Sequence, residues 1–490
     1  ITNRLVGSEM CIRDSCMTPY ILWAFTFLTF YLLWLVYLTV KSWMNKSGTL
    51  RDYFLAGNDV GFIPSLLTFW ATYFSAAALI GASGYYYIHG IGNFLFASLG
   101  YCILAVVTGT VGVRLWKLSR KYPTIRSPIQ LYLRSFNSPR LETLFVIISL
   151  LCLVPYMAAQ ITGFARLLEG AIGLPYLGTA AGALIIIYLY SESGGLKNIV
   201  RTDVLQSSMT IIGCIGLVIA FLWIYWDFDF RLFFKDVDAL YIPSLMGIPG
   251  PKHFYTPIII ISLAVLISLG AVPMAHNAQR YMIVRELKYL KRIMFLFPAM
   301  GIFVTMVAMI LGLGGAVHFP GLESGDQVIG RVTAAVPAAI GALATIGIVA
   351  STMSTADSIL LSVGFIVSEQ KYRNNSSQNY NQIRSLNRWC ILTVTVFSFM
   401  ASIQPSLVTE FAFNAFGGML QIAPVMIVGI YEIRIAKIWA FISALSGLSI
   451  VVLGNTPLYG QLPFNEIPHY FVGFITAIAM LVFGKICTKN

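Results

Sequence analysis

Runs of some 20 apolar residues, each closed by charge, glycine or proline, recur along this chain. A helix of that length reaches across the hydrocarbon core of a bilayer, so the pattern predicts membrane-crossing helices. Thirteen are expected, at about 19–41, 62–88, 93–116, 141–169, 174–190, 199–225, 256–276, 293–316, 337–368, 387–404, 407–431, 437–455 and 468–486. The connections are short except for 226–255 and two basic loops, 114–140 and 369–386. A single membrane domain over 17–490 accounts for this, making the fold class an all-α membrane protein. Residues 1–16 lack the apolar core of a signal peptide and are not expected to be helical. Their stretch VGSEMCIRDS resembles translated adaptor sequence, so residues 1–16 are taken as a non-native leader and the native chain is expected to start at Met17.

Charge tests the helix count. With the N-terminus outside, thirteen crossings place 25 basic residues on the cytoplasmic side, including the loop from Arg114 to Arg140 and the group from Arg280 to Arg292. Five fall outside: Arg166, Arg231, Lys235, Lys252 and Arg331. Cytoplasmic loops carry the excess of Lys and Arg, and one missed helix would invert every later loop. The C-terminus is therefore expected in the cytoplasm, the membrane being the plasma (inner) membrane.

Composition agrees: 58% of the 490 residues are hydrophobic and 11% charged, against roughly 25% charged in a soluble domain. The net charge of +12 is spread over short loops, which speaks for membrane orientation and against a nucleic-acid partner. Among the seven cysteines, Cys102, Cys152, Cys214 and Cys390 fall inside apolar runs and are expected to be small buried side chains.

Almost every acid lies in a loop or at a helix end. Asp203, in the sixth predicted helix, and Asp357, deep in the ninth, do not. A carboxylate at membrane depth costs roughly 2.5–3.5 kcal/mol on lenient scales and needs a partner, a cation or a proton. Around Asp357, the stretch ASTMSTADS puts Ser351, Ser354, Thr355 and Ser358 on one helix face. Such hydroxyls either bond back to the preceding turn or offer hard oxygen ligands of the kind alkali and alkaline-earth cations prefer. In the second helix, the Ala, Ser and Gly around 72–84 suit either a packing interface or a helix broken at mid-membrane.

RDYFLAG at 51–57, IGASG at 80–84, GGLKNIVRTDVLQ at 194–206, AQRY at 278–281 and MSTADS at 353–358 together resemble the sodium/solute symporter family, in order and in spacing. Its members carry proline, pantothenate, monocarboxylates, sugars, sialic acid or iodide. The resemblance spans about 18–486 and implies an inverted five-helix-repeat transporter fold with one extra helix before and two after. The repeats would cover about 62–225 and 256–431, and the second and seventh helices would be broken.

The resemblance further implies sodium as the coupling ion. A core sodium site would use the carbonyls of Ala71, Phe74 and Ser351 with the hydroxyls of Ser354 and Thr355. Tyr73 stands where some relatives carry Asp or Asn. A possible second cation site would use Asp203, Asp357 and Ser358, with Asp357 a carboxylate where relatives have a hydroxyl. We expect Asp203 and Asp357 to approach each other or one cation; otherwise Asp203 reaches water, Arg201 or Lys197. Arg166 is expected to extend to the outer interface, His276 to be a packed neutral histidine, and Gln160, Gln206 and Gln421 to bond neighbouring helices.

Sodium-coupled uptake of a small organic solute by alternating access is thus the expected function, with lipid, sodium and solute as partners and no obligatory protein partner. A proton-coupled carrier or exchanger on the same fold is the alternative. A transporter-like sensor would need a soluble signalling domain. An intramembrane enzyme would need a constellation such as HExxH or GxSxG, which the predicted helices do not contain.

Overall fold

Large apolar side chains cover the outside of the helical bundle as well as its core. Leu22, Leu33, Trp223 and Phe295 are exposed, while Phe145, Phe221 and Phe297 are fully buried. A continuous apolar exterior of this kind fits lipid rather than water. The computed structural model describes residues 2–44, 50–191, 195–240, 245–371, 380–404 and 406–488. The first half of the bundle comprises α1 (Thr2–Met44), α2 (Phe62–Tyr73), α3 (Ala77–His89), α4 (Gly92–Lys121), α5 (Pro139–Ile172), α6 (Tyr176–Ser191) and α7 (Gly195–Trp226). The second half comprises α8 (Pro257–Leu269), α9 (Ala275–Ile283), α10 (Leu287–His318), α11 (Val328–Ala335), α12 (Ala338–Lys371), α13 (Tyr380–Ser402) and α14 (Val408–Ile430). Two more helices follow, α15 (Lys437–Gly454) and α16 (His469–Cys487).

Each of the thirteen expected segments falls on helix. Among the described residues, nine helices are long and apolar enough to cross a bilayer alone, and α2 with α3 makes a tenth. Of the remaining expected spans, α6 and α8 are shorter and α13 is more polar. The backbone of α1 is helical from Thr2, contrary to the expectation for residues 1–16; no proline interrupts it before Pro19. Cys152 and Cys214 are buried as expected, but Cys390 is only half-buried and Cys102 is exposed on the apolar exterior.

Two breaks organise the interior. α2 ends where Phe74 leaves helical geometry, and α3 restarts at Ala77 with a widened turn, bent by 58° from α2. The second break separates α8 from α9 at Gly270–Met274, where Pro273 cannot donate to a helix. Asn277 Nδ2 donates to the freed Ala271 carbonyl at 2.7 Å. Breaks at membrane depth persist only where such groups are satisfied again by protein. α7 lies along α12, α1 covers both, and α15 and α16 pack on each other and on α14.

The IGASG stretch lets α3 come close to its neighbours. A Cβ on Gly81 would lie 2.4 Å from Thr409 Oγ1 at the start of α14, and one on Gly84 would lie 2.5 Å from Asp326 Oδ1. On the facing helix α10, a Cβ on Gly312 would meet the Ser83 carbonyl at 2.4 Å. Asp326 itself is fully buried, and its Oδ2 accepts from the Val408 N–H at 2.8 Å.

Close packing of this kind gives a direct test. At Gly429 a Cβ would come within 1.9 Å of the Tyr132 carbonyl oxygen, whereas Gly182 has nothing within 4 Å. Gly429→Ala is expected to cost about 1–3 kcal/mol by overpacking, and Gly182→Ala to be neutral or stabilising. Melting of the two purified variants in detergent measures the difference; equal midpoints would contradict the packing described.

Candidate functional site

The end of α2 leaves carbonyls without helical partners, and α12 presents hydroxyls to them. Thr355 Oγ1 donates to the Ala71 carbonyl at 3.0 Å and to the Ser351 carbonyl at 3.3 Å. Ser351 Oγ donates to the Phe74 carbonyl at 2.7 Å. Ser354 turns the other way, its Oγ donating to Asp203 Oδ1 at 2.5 Å. Ala71, Phe74, Ser351, Ser354 and Thr355, far apart in sequence, are thus brought together, all buried. The carbonyl end of a helix is the negative end of its dipole. Uncharged hard oxygens gathered there suit a small cation. Among the described residues no group of three or more His, Cys, Asp or Glu forms a metal cluster.

Asp203 sits one layer away on α7, closed off from water. Besides Ser354 it accepts from the Thr68 hydroxyl and pairs with Arg280 at 3.4 Å. Arg280 belongs to α9 and is also fully buried. Its Nε donates to Thr72 Oγ1 at 2.8 Å, and one terminal nitrogen reaches both Ser358 Oγ, at 2.5 Å, and Asp203. The partner of Asp203 is therefore Arg280, not water, Arg201 or Lys197. Asp357 is buried beside Ser358. Its charge and that of Asp203 both reach the Tyr31 hydroxyl, which accepts from Gln206 Nε2 at 2.8 Å.

Arg280 is the functional residue that sequence reasoning missed. The charge count assigned it to a cytoplasmic loop, because the polar run HNAQR after residue 275 resembles a helix end. A new buried helix, α9, begins at Ala275 instead, and the guanidinium fork finds hydroxyl and carboxylate partners inside the bundle. The signal was an unpaired buried acid at Asp203, which required a cation from some other segment.

The other polar residues are engaged locally. Arg166 pairs with Glu169 at 2.6 Å and lies over the Tyr176 ring. His276 is buried and stacks on Tyr156. Gln160 accepts from the Ala76 N–H at 3.4 Å, and Gln421 donates to the Gly417 and Tyr470 carbonyls.

Beside the first break opens a cavity between α2, α3, α4, α5, α8, α9, α10 and α14. Tyr73, Tyr101, Tyr156 and Phe413 wall it, and Ser75, Asn277, Thr305 and Thr409 add polar groups. The Tyr73 hydroxyl is tied to that of Tyr281.

Similarity to known proteins covers the same elements. Sodium/pantothenate symporters of Haemophilus influenzae and Escherichia coli are 24% identical over 450 residues and 26% identical over 459, covering 90% and 89% of both chains. A Na+-coupled sialic acid symporter, solved in a substrate-bound outward-open state, superposes with a TM-score of 0.74 at 18% identity, over 96% of this chain and 98% of that one. MHP1, a nucleobase-cation-symport-1 family transporter in a closed conformation with bromovinylhydantoin bound, gives 0.56 at 14% identity, over 89% of this chain and 94% of that one. MhsT in complex with L-phenylalanine gives 0.54 at 13%, over 86% and 97%. The fold is that of the inverted five-helix-repeat transporters. Residues 53–447, from the RDYFLAG stretch through both breaks to α15, match the family model described as Sodium:solute symporter family, and with motifs, breaks and fold in agreement this chain belongs to that family.

Proposed function

We propose that the protein couples sodium entry to uptake of a small organic solute by alternating access. The observation that carries this is the meeting of Thr355 and Ser351 with the Ala71 and Phe74 carbonyls at the broken helix. Sodium takes the carbonyls of Ala71, Phe74 and Ser351 and the hydroxyls of Ser354 and Thr355, and Ser354 then turns from Asp203 to the ion. A second cation at Asp203, Asp357 and Ser358 has to displace Arg280, which already bonds Asp203 and Ser358. The repeats run over about 62–225 and 256–431, the N-terminus faces outside and the C-terminus the cytoplasm, as the basic-residue bias requires.

The driving force suffices. One charge falling through 100 mV releases about 2.3 kcal/mol, and a tenfold sodium gradient adds about 1.4 kcal/mol. Their sum supports several-hundred-fold accumulation of an uncharged solute per sodium.

Proteoliposomes test the proposal. Solute uptake should follow an inward sodium gradient and persist with a protonophore present. Uptake that follows a proton gradient with sodium absent supports the proton-coupled alternative. For topology, single cysteines at 114–140 should resist membrane-impermeant labelling of intact cells, and those at 226–255 should react. Strong labelling at 114–140 contradicts the orientation.

A further inference from the structure

We propose that the slot between α1, α5, α6 and α12 holds one acyl chain of a membrane phospholipid. One face of α1 lines it from Tyr20 to Leu32, through Ala24 and Leu28, at the four-residue spacing that keeps side chains on one side of a helix. Phe164 to Ile172 on α5 and Thr345 to Met353 on α12 line it in the same way. A slot bounded by such stripes runs along the helices rather than across them. At about 1.5 Å per residue the α1 stripe is roughly 18 Å long, a little over half of the roughly 30 Å hydrocarbon core. That is the depth of one leaflet, the reach of a single acyl chain.

Nothing in the slot suits water or a charged ligand. Among the described residues lining it, the hydroxyls of Tyr20, Tyr31 and Thr345 are the only polar side-chain groups besides the Met353 thioether. The Tyr20 and Thr345 hydroxyls bond each other at 2.7 Å. The Tyr31 hydroxyl accepts from Gln206 Nε2 at 2.8 Å and donates to Met353 Sδ at 3.6 Å. A buried water needs several polar partners, and apolar cavities that lack them stay dry and take apolar guests. The mouth opens on the apolar exterior, where Phe25, Leu32, Leu174 and Ile186 are exposed, so the slot is continuous with the bilayer. A phospholipid sends a tail in sideways and leaves its head at the membrane surface, where it needs no partner from the slot.

The position gives the tail a task. At about 100° per residue, Met353 projects from nearly the opposite side of α12 to Ser351 and Thr355. The slot thus lies behind the helix that carries the proposed ion ligands. Left empty, it deprives the lining side chains of contacts on one side; a tail restores them and backs α12.

For the test, the full chain is reconstituted in vesicles of phosphatidylethanolamine and phosphatidylglycerol with a small share of phosphatidylcholine bearing a diazirine midway along one tail. After irradiation, mass spectrometry of peptides locates the adducts. Phe164 and Ile346 face the slot and are buried from the exterior, whereas Ile212 and Ile219 on α7 are exposed to bulk lipid. Adducts at the first pair are expected to exceed those at the second several-fold and to saturate as the probe fraction rises. Labelling no stronger than on α7, or rising in proportion to the probe, overturns the proposal. Ala24→Phe fills the slot from α1 and should abolish these adducts, and native mass spectra should show one fewer retained phospholipid than in wild type. Leu22→Phe, on the exposed side of α1, should change neither. Adducts that survive Ala24→Phe in a variant that still melts cooperatively overturn the proposal; if that variant does not fold, saturation in the wild type decides. Wild-type protein that retains a free fatty acid or a sterol in place of the phospholipid, or that cross-links to a second copy over the slot, likewise overturns it.

Discussion

Arg280→Ala is expected to lower stability by about 3–5 kcal/mol, the cost of leaving a buried charge without its partner, and to abolish transport. Asp203 is wholly enclosed and would keep only the hydroxyls of Ser354 and Thr68. Arg280→Lys should not rescue it, because one ammonium cannot serve Thr72, Ser358 and Asp203 with the span of a guanidinium fork. The double variant Asp203→Asn with Arg280→Gln should lose less stability than the two single variants together, since the residues touch. Melting of all four proteins in detergent measures this cycle. Strict additivity would show that the pair contributes nothing beyond its separate packing.

Thr355→Val should raise the sodium concentration for half-maximal uptake at least tenfold, equivalent to about 1.4 kcal/mol. Valine keeps the shape of threonine but removes both the proposed ion ligand and the hydrogen bond to Ala71. Thr355→Ser should stay near the wild-type value. Ser351→Ala should act more weakly, because its proposed contribution to the ion is the backbone carbonyl, its hydroxyl only steadying Phe74. Sodium-dependent protection from heat, measured without solute, separates ion binding from transport. The same sodium dependence for the valine variant and the wild type would sink the assignment.

The hydroxyl face of α12 was legible because its spacing places Ser351, Ser354, Thr355 and Ser358 together whatever surrounds them. The helices were legible because a bilayer demands long apolar runs. What the pattern hid was polar sequence that is buried. AHNAQRYMI reads as a helix end followed by loop, yet α9 is enclosed on every side and Arg280 is its most deeply engaged residue. Asp326 was likewise read as a loop acid, although it is fully buried against Val408. Periodicity reports which residues avoid water, and here the polar ones also avoid it by bonding one another. That pairing joins segments far apart in sequence, such as Thr68, Asp203, Arg280 and Ser358, so no local window contains it.

The two halves of the broken helix are mounted differently. α2 is fastened to α7, α9 and α12 by directed polar bonds through Thr68, Thr72 and its last carbonyls. α3 is held in part by Tyr87, whose hydroxyl donates to the Phe319 carbonyl at 2.8 Å and accepts from the Leu322 N–H at 3.2 Å, and it otherwise rests on Gly312 of α10, while its own Gly81 and Gly84 leave flat places against Thr409 and Asp326. Interlocked side chains must leave their holes before a helix can shift, whereas a seat made by missing side chains works like a plain bearing. In mechanical terms α2 is the anchored arm of a crank and α3 the arm held chiefly at its far end, through Tyr87, with Phe74–Ala76 as the pivot. A turn of α3 about that pivot would reshape the cavity it borders while the Ala71 carbonyl, inside α2, stayed with its own helix.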